Sequence, residues 1–162
     1  MEIKRFSVKA YIPLGVLVFI AMFAAISITY GVGGGLMQGM HYFMGFFLCQ
    51  FAMLKIFHLK KFVEGFGRYD LVAMNYLFYA YLYPFIELSL GLAYLSFVFL
   101  KATYLITILI GAIGSIGVVK ALKKGLDLRC ACMGTVLDVP LSTVTLTEDI
   151  GMGFMAFFMF IQ

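Results

Sequence analysis

Charged residues are scarce in this chain of 162 residues: only 12% are Asp, Glu, Lys or Arg, whereas 64% are hydrophobic. A soluble domain of this size could not bury so much apolar surface, so a water-soluble globular protein is excluded. Intrinsic disorder requires the opposite composition and is excluded too. The net charge of +4 is too small and too dispersed for a nucleic-acid-binding protein, and the three cysteines do not form a disulfide scaffold. The composition is that of an integral membrane protein, whose first partner is the lipid bilayer.

Long apolar runs separated by short polar connections predict an all-α transmembrane helical bundle, with residues 1–162 forming a single integral membrane domain. The first run follows a basic start but is about 20 residues long, and another follows closely, so a retained helix is favoured over a signal peptide. The four predicted spans are 11–31, 36–57, 71–100 and 104–119.

A short C-terminal apolar helix is predicted at 146–162, because Thr145 and Glu148 have the spacing of a capping box at a helix start. Its length of roughly 25 Å would be slightly less than a full span. The pattern does not decide whether this helix crosses the bilayer.

Basic residues are distributed unevenly along the chain. The N-terminal tail, the region from Lys55 to Arg68 and the segment after the fourth span carry all of them except Lys101. Because loops rich in Lys and Arg remain on the cytoplasmic side, the N-terminus and the segment containing Cys130 and Cys132 are predicted to be cytoplasmic. Lys55, at the end of the second span, is expected to snorkel to the interface.

Cys130 and Cys132 form a C-x-C pair that Met133 follows. Such a pair can clamp one soft metal ion or exchange electrons through a strained disulfide. Nearby basic residues favour the thiolate, which binds metals and attacks disulfides. The alternative is a tight turn of small residues at the membrane surface. Spacing alone does not separate metal binding from redox chemistry.

Met37, Met40, His41 and Met44 are predicted to lie along one face of the second helix, because their spacing matches the helical period. Met40, His41 and Met44 are the candidate ligands. Methionine sulfur and histidine nitrogen suit Cu(I) and similar soft ions, so this face is a candidate metal site. The alternative is that the methionines are flexible packing residues and that His41 lies at the interface.

Glu87 lies in the middle of the third predicted span, three residues after Pro84. A carboxylate at that depth is costly, so it must face a polar partner or a cavity, or remain protonated. Counting from the helix ends places Glu87 at the depth of Met44. His41, Met44 and Glu87 are therefore predicted to converge on one site, with Cys49 about a turn deeper. The alternative is a neutral Glu87 that hydrogen-bonds a tyrosine and pins two helices together.

The second and third spans carry a set of spaced residues whose most specific part is a P-x-x-E-x-x-x-G pattern: Phe46, Lys55, Phe62, Tyr69, Asp70, Pro84, Glu87 and Gly91. With them, residues 39–91 resemble the MauE/DoxX superfamily of small bacterial membrane proteins, and the CACMG segment extends the likeness. The resemblance implies a compact helical bundle in the bacterial inner membrane. It also implies a role in maturing exported, disulfide-rich proteins beside a thioredoxin-like partner, and an association with heavy-metal-binding modules.

These features favour an inner-membrane protein that handles thiols or soft metal ions without conventional enzymatic turnover. In the redox form, Cys130 and Cys132 shuttle electrons and Cys49 is a candidate relay. In the metal form, the Met/His/Glu site receives Cu(I) or a similar ion, and the dithiol passes it to or from a metallochaperone. The chain lacks a C-x-x-C motif, and a cytoplasmic dithiol would not meet an exported substrate directly. The alternative is a structural or assembly subunit of a membrane complex, and the sequence leaves a homo-oligomer open.

Overall fold

The computed structural model describes residues 12–124 and 141–162. This part of the chain contains six helices and no strands: α1 (Ile12–Gly31), α2 (Leu36–Phe57), α3 (Leu59–Phe66), α4 (Leu77–Ser96), α5 (Leu100–Lys123) and α6 (Leu141–Ile161). The all-α prediction is confirmed. The predictions for Cys130, Cys132 and Met133 lie outside the described residues.

Three helices of the described segments are long and apolar enough to cross a bilayer, at Leu14–Gly31, Leu36–Phe57 and Leu100–Lys123. The predicted count of four spans is therefore corrected to three by this criterion. Helix α4 takes the place of the predicted span 71–100, but it begins only at Leu77 and ends at Ser96.

The C-terminal helix is longer than predicted. Helix α6 begins at Leu141 and has 21 residues, which gives a length of about 31 Å at 1.5 Å per residue. Thr145 and Glu148 lie inside the helix instead of at its start, so the predicted capping box is wrong. Glu148 instead forms an ion pair with Lys55 of α2.

Close backbone contacts hold the helices together in antiparallel pairs. Helices α2 and α4 meet at Gly45 and Gly91, where a Cβ atom built on Gly91 would lie 2.7 Å from Cys49 Sγ and 3.0 Å from the Gly45 carbonyl oxygen. Helices α5 and α6 meet at Gly111, where an added Cβ would lie 2.8 Å from the Asp149 carbonyl oxygen. Small residues at these positions let the helices approach closely, as in many membrane bundles.

The segment between α3 and α4 is a buried turn organised by Asp70. Asp70 Oδ1 accepts hydrogen bonds from the backbone amides of Val72 at 2.9 Å and Ala73 at 2.8 Å. The turn packs against α5, because a Cβ on Gly117 would lie 2.7 Å from the Tyr69 carbonyl oxygen. Burial raises the pKa of the Asp70 carboxyl above its usual range, and the two amide hydrogen bonds oppose that rise.

Two apolar clusters form the core of the described residues. One gathers around Phe62, Phe66 and Tyr83, and the other around Met44, Leu90 and Tyr94. On α4, Glu87 falls between Tyr83 of the first cluster and Leu90 of the second. Buried ionisable groups therefore lie at the boundary between the two clusters, in the interior of the bundle.

Candidate functional site

Three buried side chains from three helices form an ion cluster. Lys55 Nζ of α2 donates hydrogen bonds to both carboxylate oxygens of Glu87 in α4, each at 2.7 Å, and to Glu148 Oε1 in α6 at 3.1 Å. The exposed fractions are only 2% for Lys55, 3% for Glu87 and 5% for Glu148. We call Lys55, Glu87 and Glu148 the Lys55 cluster.

Lys55 does not snorkel to the interface, so that prediction is wrong. Its ammonium group is enclosed by the rings of Phe51, Phe62 and Tyr83, with the Tyr83 centroid 5.1 Å from Nζ. Helical side chains lean toward the N-terminus of their helix, which here directs Lys55 into the bundle. Attraction between the cation and the ring faces adds to its two ion pairs.

Glu87 lies deeper along α2 than predicted. Gly91 faces Gly45 and Cys49, and Glu87 precedes Gly91 by about one helical turn. In an antiparallel pair this places Glu87 about one turn beyond Cys49, near Phe51 and not beside Met44, a displacement of about 10 Å. The estimate was wrong because it matched the ends of the two helices, whereas the close approach of Gly91 to Gly45 and Cys49 sets their register.

His41 belongs to a separate polar group and does not converge with Glu87. Its Nδ1 donates a hydrogen bond to the Met37 carbonyl oxygen at 2.7 Å, and its Nε2 is hydrogen-bonded to the Tyr104 hydroxyl. Both ring nitrogens are therefore engaged within the bundle. Met44 is buried in the apolar core.

Metal binding by Met40, His41, Met44 and Glu87 stays a prediction. Across residues 12–124 and 141–162, no group of three or more His, Cys, Asp or Glu side chains is arranged to hold a metal ion. The engaged nitrogens of His41 and the ion pairs of Glu87 also leave neither side chain poised as a ligand.

Asp149 adds a further acid beside the Lys55 cluster. It is 3% exposed, its carboxylate lies against Gly114, and it interacts electrostatically with Glu148, Lys55 and Glu87. One lysine does not neutralise three ionised carboxylates, and excess charge inside an apolar bundle is costly. The described interior therefore holds more acidic side chains than one lysine can pair.

Comparison with models of known protein families identifies the family of this chain. The family model described as methylamine utilisation protein MauE matches residues 28–162. The chain belongs to the MauE family. No curated protein and no solved structure gives a significant match.

Membership confirms the MauE part of the predicted resemblance, and likeness to DoxX proteins stays a prediction. Together with three apolar helices, it indicates a multi-pass membrane protein. The matched range of this MauE chain contains the complete Lys55 cluster and also the segment with Cys130 and Cys132.

The sequence interpretation missed Lys55, Glu148 and Asp149 as site residues of this MauE chain. For the two acids a signal was available: they are adjacent within an otherwise apolar run, the same observation that singled out Glu87. This signal was overlooked because the two acids were assigned to the start of a helix. Lys55 was part of the spaced set that carried the resemblance, but its position near a helix end suggested an interfacial side chain.

Proposed function

We propose that this chain handles thiols in the membrane, passing electrons through Cys130 and Cys132 to assist maturation of a partner protein. The Lys55 cluster would supply or accept the protons that accompany this chemistry. The proposal keeps the N-terminus and the dithiol on the cytoplasmic side of the bacterial inner membrane, and a thioredoxin-like protein as the exchange partner.

The buried Lys55 cluster is the observation that carries the proposal. Joining two thiols in a disulfide breaks two S–H bonds, and releases two electrons and two protons. A site that moves these protons needs ionisable groups shielded from bulk water, and Lys55, Glu87 and Glu148 meet inside the bundle with Asp149 beside them. A purely structural bundle would achieve equal packing with apolar side chains.

A soft metal ion is the second candidate, and the methionines favour it. Met40 and Met44 of α2 belong to the same apolar cluster as Met152, Met155 and Met159 of α6. Thioether sulfur is a ligand suited to Cu(I). In this version, the methionine face receives the ion, and Cys130, Cys132 and Met133 bind it at the cytoplasmic side.

Anaerobic thiol titration separates the candidates. We would use a Cys49→Ser variant, in which Cys130 and Cys132 are the only thiols. A disulfide that forms under mild oxidation and is reduced by thioredoxin supports thiol handling. Loss of both titratable thiols on addition of stoichiometric Cu(I), without disulfide formation, supports metal handling instead. No change in either assay contradicts both and leaves a structural subunit.

A further inference from the structure

A basic cavity lies between the turn that precedes α4 and the C-terminal end of α5. It has a volume of about 340 Å³, and three cationic side chains line it: Arg68 of the turn, and Lys120 and Lys124 at the end of α5. All three residues are exposed. No acidic residue of the described segments lines this cavity. Its wall therefore favours a negatively charged occupant, because positive charge of one sign concentrates an anion from the surroundings.

The close packing of the turn on α5 brings these cations to one wall. A Cβ atom on Gly117 would lie 2.7 Å from the Tyr69 carbonyl oxygen, so only a glycine lets the turn approach this closely. Arg68 directly precedes Tyr69 in the turn. Lys120 and Lys124 follow Gly117 by about one and two helical turns and therefore lie on the same face of α5. Like charges from two elements repel each other across the cavity, and a bound anion would relieve that repulsion.

Helix dipoles and membrane topology account for only part of this arrangement. Lysines near the C-terminus of a helix are favoured by its dipole, and basic residues concentrate on the cytoplasmic side of membrane proteins. Neither effect requires Arg68, which a separate element supplies, to line the same cavity as Lys120 and Lys124. Lys61 of α3 and Lys123 of α5 are also exposed basic residues, yet neither lines the cavity. The cavity thus defines a subset of the basic residues at this end of the bundle.

The surface around the cavity is predominantly positive. Asp70, Glu87, Glu148 and Asp149 are all buried, so Glu64 is the one exposed acid of the described residues. Seven exposed basic residues belong to the same segments: Lys60, Lys61, Arg68, Lys101, Lys120, Lys123 and Lys124. All of them except Lys101 lie at the end of the bundle that holds the cavity. Few acids therefore compete with an anion from outside for these cations.

The position of the cavity favours an anion that is carried by a lipid. The candidate span Leu100–Lys123 ends at the cavity, where a helix passes from the apolar core of the bilayer into the headgroup region. Met74 lines the cavity and is exposed, and Val119 and Leu122 are exposed beside the lysines of α5. Acyl chains would cover this apolar surface, whereas a water-soluble anion would leave it bare.

We propose that this cavity binds the headgroup phosphate of an anionic phospholipid. The guanidinium of Arg68 can pair with two phosphate oxygens at once, and Lys120 and Lys124 add two further positive charges. An apolar cavity of about 150 Å³ holds benzene, so the larger cavity here accommodates a phosphate group. A choline headgroup fits less well, because its own cation would meet the three basic side chains. The site does not depend on the thiol function proposed above.

Native mass spectrometry of the full chain in a neutral detergent tests the site, because it counts bound lipid molecules. The probe is dioleoyl-phosphatidylglycerol, and phosphatidylcholine with the same acyl chains is the comparison. We expect one phosphatidylglycerol to bind in preference to phosphatidylcholine. Arg68→Gln/Lys120→Gln should weaken that binding about 30-fold, because each basic residue near an anionic lipid contributes roughly a fivefold effect.

Lys61→Gln/Lys123→Gln is the matched control. It removes the same charge from the same end of the bundle but changes no residue of the cavity wall, so it should bind phosphatidylglycerol as the wild type does. Asn75→Asp is a second variant, because Asn75 lines the cavity at an exposed position and the new carboxylate should repel the lipid phosphate. The melting temperatures of all variants without lipid should be close to that of the wild type, since every substituted residue is exposed.

Three results would overturn the proposal. Equal weakening by the cavity variant and the matched control would show general attraction to a basic surface and no site. Equal binding of phosphatidylcholine would show that the negative charge of the headgroup is not recognised. Displacement of phosphatidylglycerol by inorganic phosphate at an equal concentration would show a site for free phosphate instead of a lipid.

Discussion

At the scale of single residues, Lys55 determines whether the acids of the bundle interior are tolerated. Lys55→Met removes the cation that pairs with Glu87 and Glu148. Because breaking a buried ion pair leaves uncompensated charge, we expect the free energy of unfolding to fall by about 3–5 kcal/mol. Unfolding in detergent measures the effect. Lys61→Met, at an exposed position, is the control and should change stability by less than about 0.5 kcal/mol.

The same mechanism predicts a rescue. Adding Glu87→Gln and Glu148→Gln to Lys55→Met removes the unpaired charges, so the triple variant should regain part of the lost stability. A triple variant that is less stable than Lys55→Met would show that the destabilisation comes from lost packing of the lysine stem instead.

Asp70 is predicted to make stability depend on pH. Burial raises the pKa of its carboxyl in the folded protein, above a value of about 3.9 for an unperturbed aspartate. Its contribution to stability is therefore fully present below the unfolded pKa, and declines as the pH rises through the folded pKa. Asp70→Asn keeps an oxygen for the two amide donors and does not ionise.

We therefore expect the melting temperature of Asp70→Asn, relative to that of the wild type, to increase as the pH rises above about 4. The increase should stop at the pH where the Asp70 carboxyl of the folded wild type is ionised. Glu64→Gln, at an exposed position, should run parallel to the wild type. If the melting temperature of Asp70→Asn instead rose relative to that of the wild type as the pH was lowered, the predicted direction of the pH dependence would be wrong.

At the scale of elements, the contact between α2 and α4 depends on two glycines. Gly91→Ala would place a Cβ 2.7 Å from Cys49 Sγ and 3.0 Å from the Gly45 carbonyl oxygen. Since backbone atoms cannot move aside cheaply, we expect a loss of about 1–3 kcal/mol in the free energy of unfolding. Gly15→Ala in α1, where an added Cβ meets nothing within 4 Å, should cause no loss. Equal stabilities of these two variants would contradict the close approach.

Hydropathy was sufficient to predict some helices and not others. The end of α1 and both bounds of α2 agree with prediction, because apolar runs there end at glycines or at a basic cluster. The start of α4 was not predictable by this signal, because residues 71–73 are also apolar. Asp70 instead accepts hydrogen bonds from the next backbone amides and holds a turn.

Helix α6 shows the opposite error. Its first residues, LSTVT, are rich in Ser and Thr, which favour caps and turns by intrinsic preference. The helix nevertheless includes them, so intrinsic preference alone does not set where α6 begins. The helix therefore includes Thr145 and Glu148, which the sequence pattern had placed at its start.

At the scale of the whole molecule, the site could be predicted only in part. A carboxylate in an apolar run identified Glu87 as a special residue, since that argument requires only the local sequence. The rest of the cluster was not predictable, because Lys55 is 32 residues from Glu87 and 93 residues from Glu148 in the chain. Only the arrangement of α2, α4 and α6 around a common interior brings the three side chains together.

Membrane orientation is a prediction for the molecule as a whole. With Cys49 replaced by serine, an impermeant thiol reagent should fail to label Cys130 and Cys132 in intact cells, because the distribution of basic residues predicts a cytoplasmic location for this segment. Permeabilised cells are the control and should show labelling of both thiols. Efficient labelling of intact cells would reverse the orientation and place the dithiol where exported substrates are found.

The most direct test of the account is the thiol-transfer activity of Glu87→Gln. The amide keeps the shape of the side chain and accepts a hydrogen bond from Lys55, but it does not ionise or release a proton. We expect a folded protein whose melting temperature is close to that of the wild type and whose rate of thiol transfer is about 100-fold lower, as for loss of a general acid or base. Glu64→Gln should keep full activity. Full activity in a folded Glu87→Gln protein would contradict the proton-handling role of the Lys55 cluster and favour a structural one.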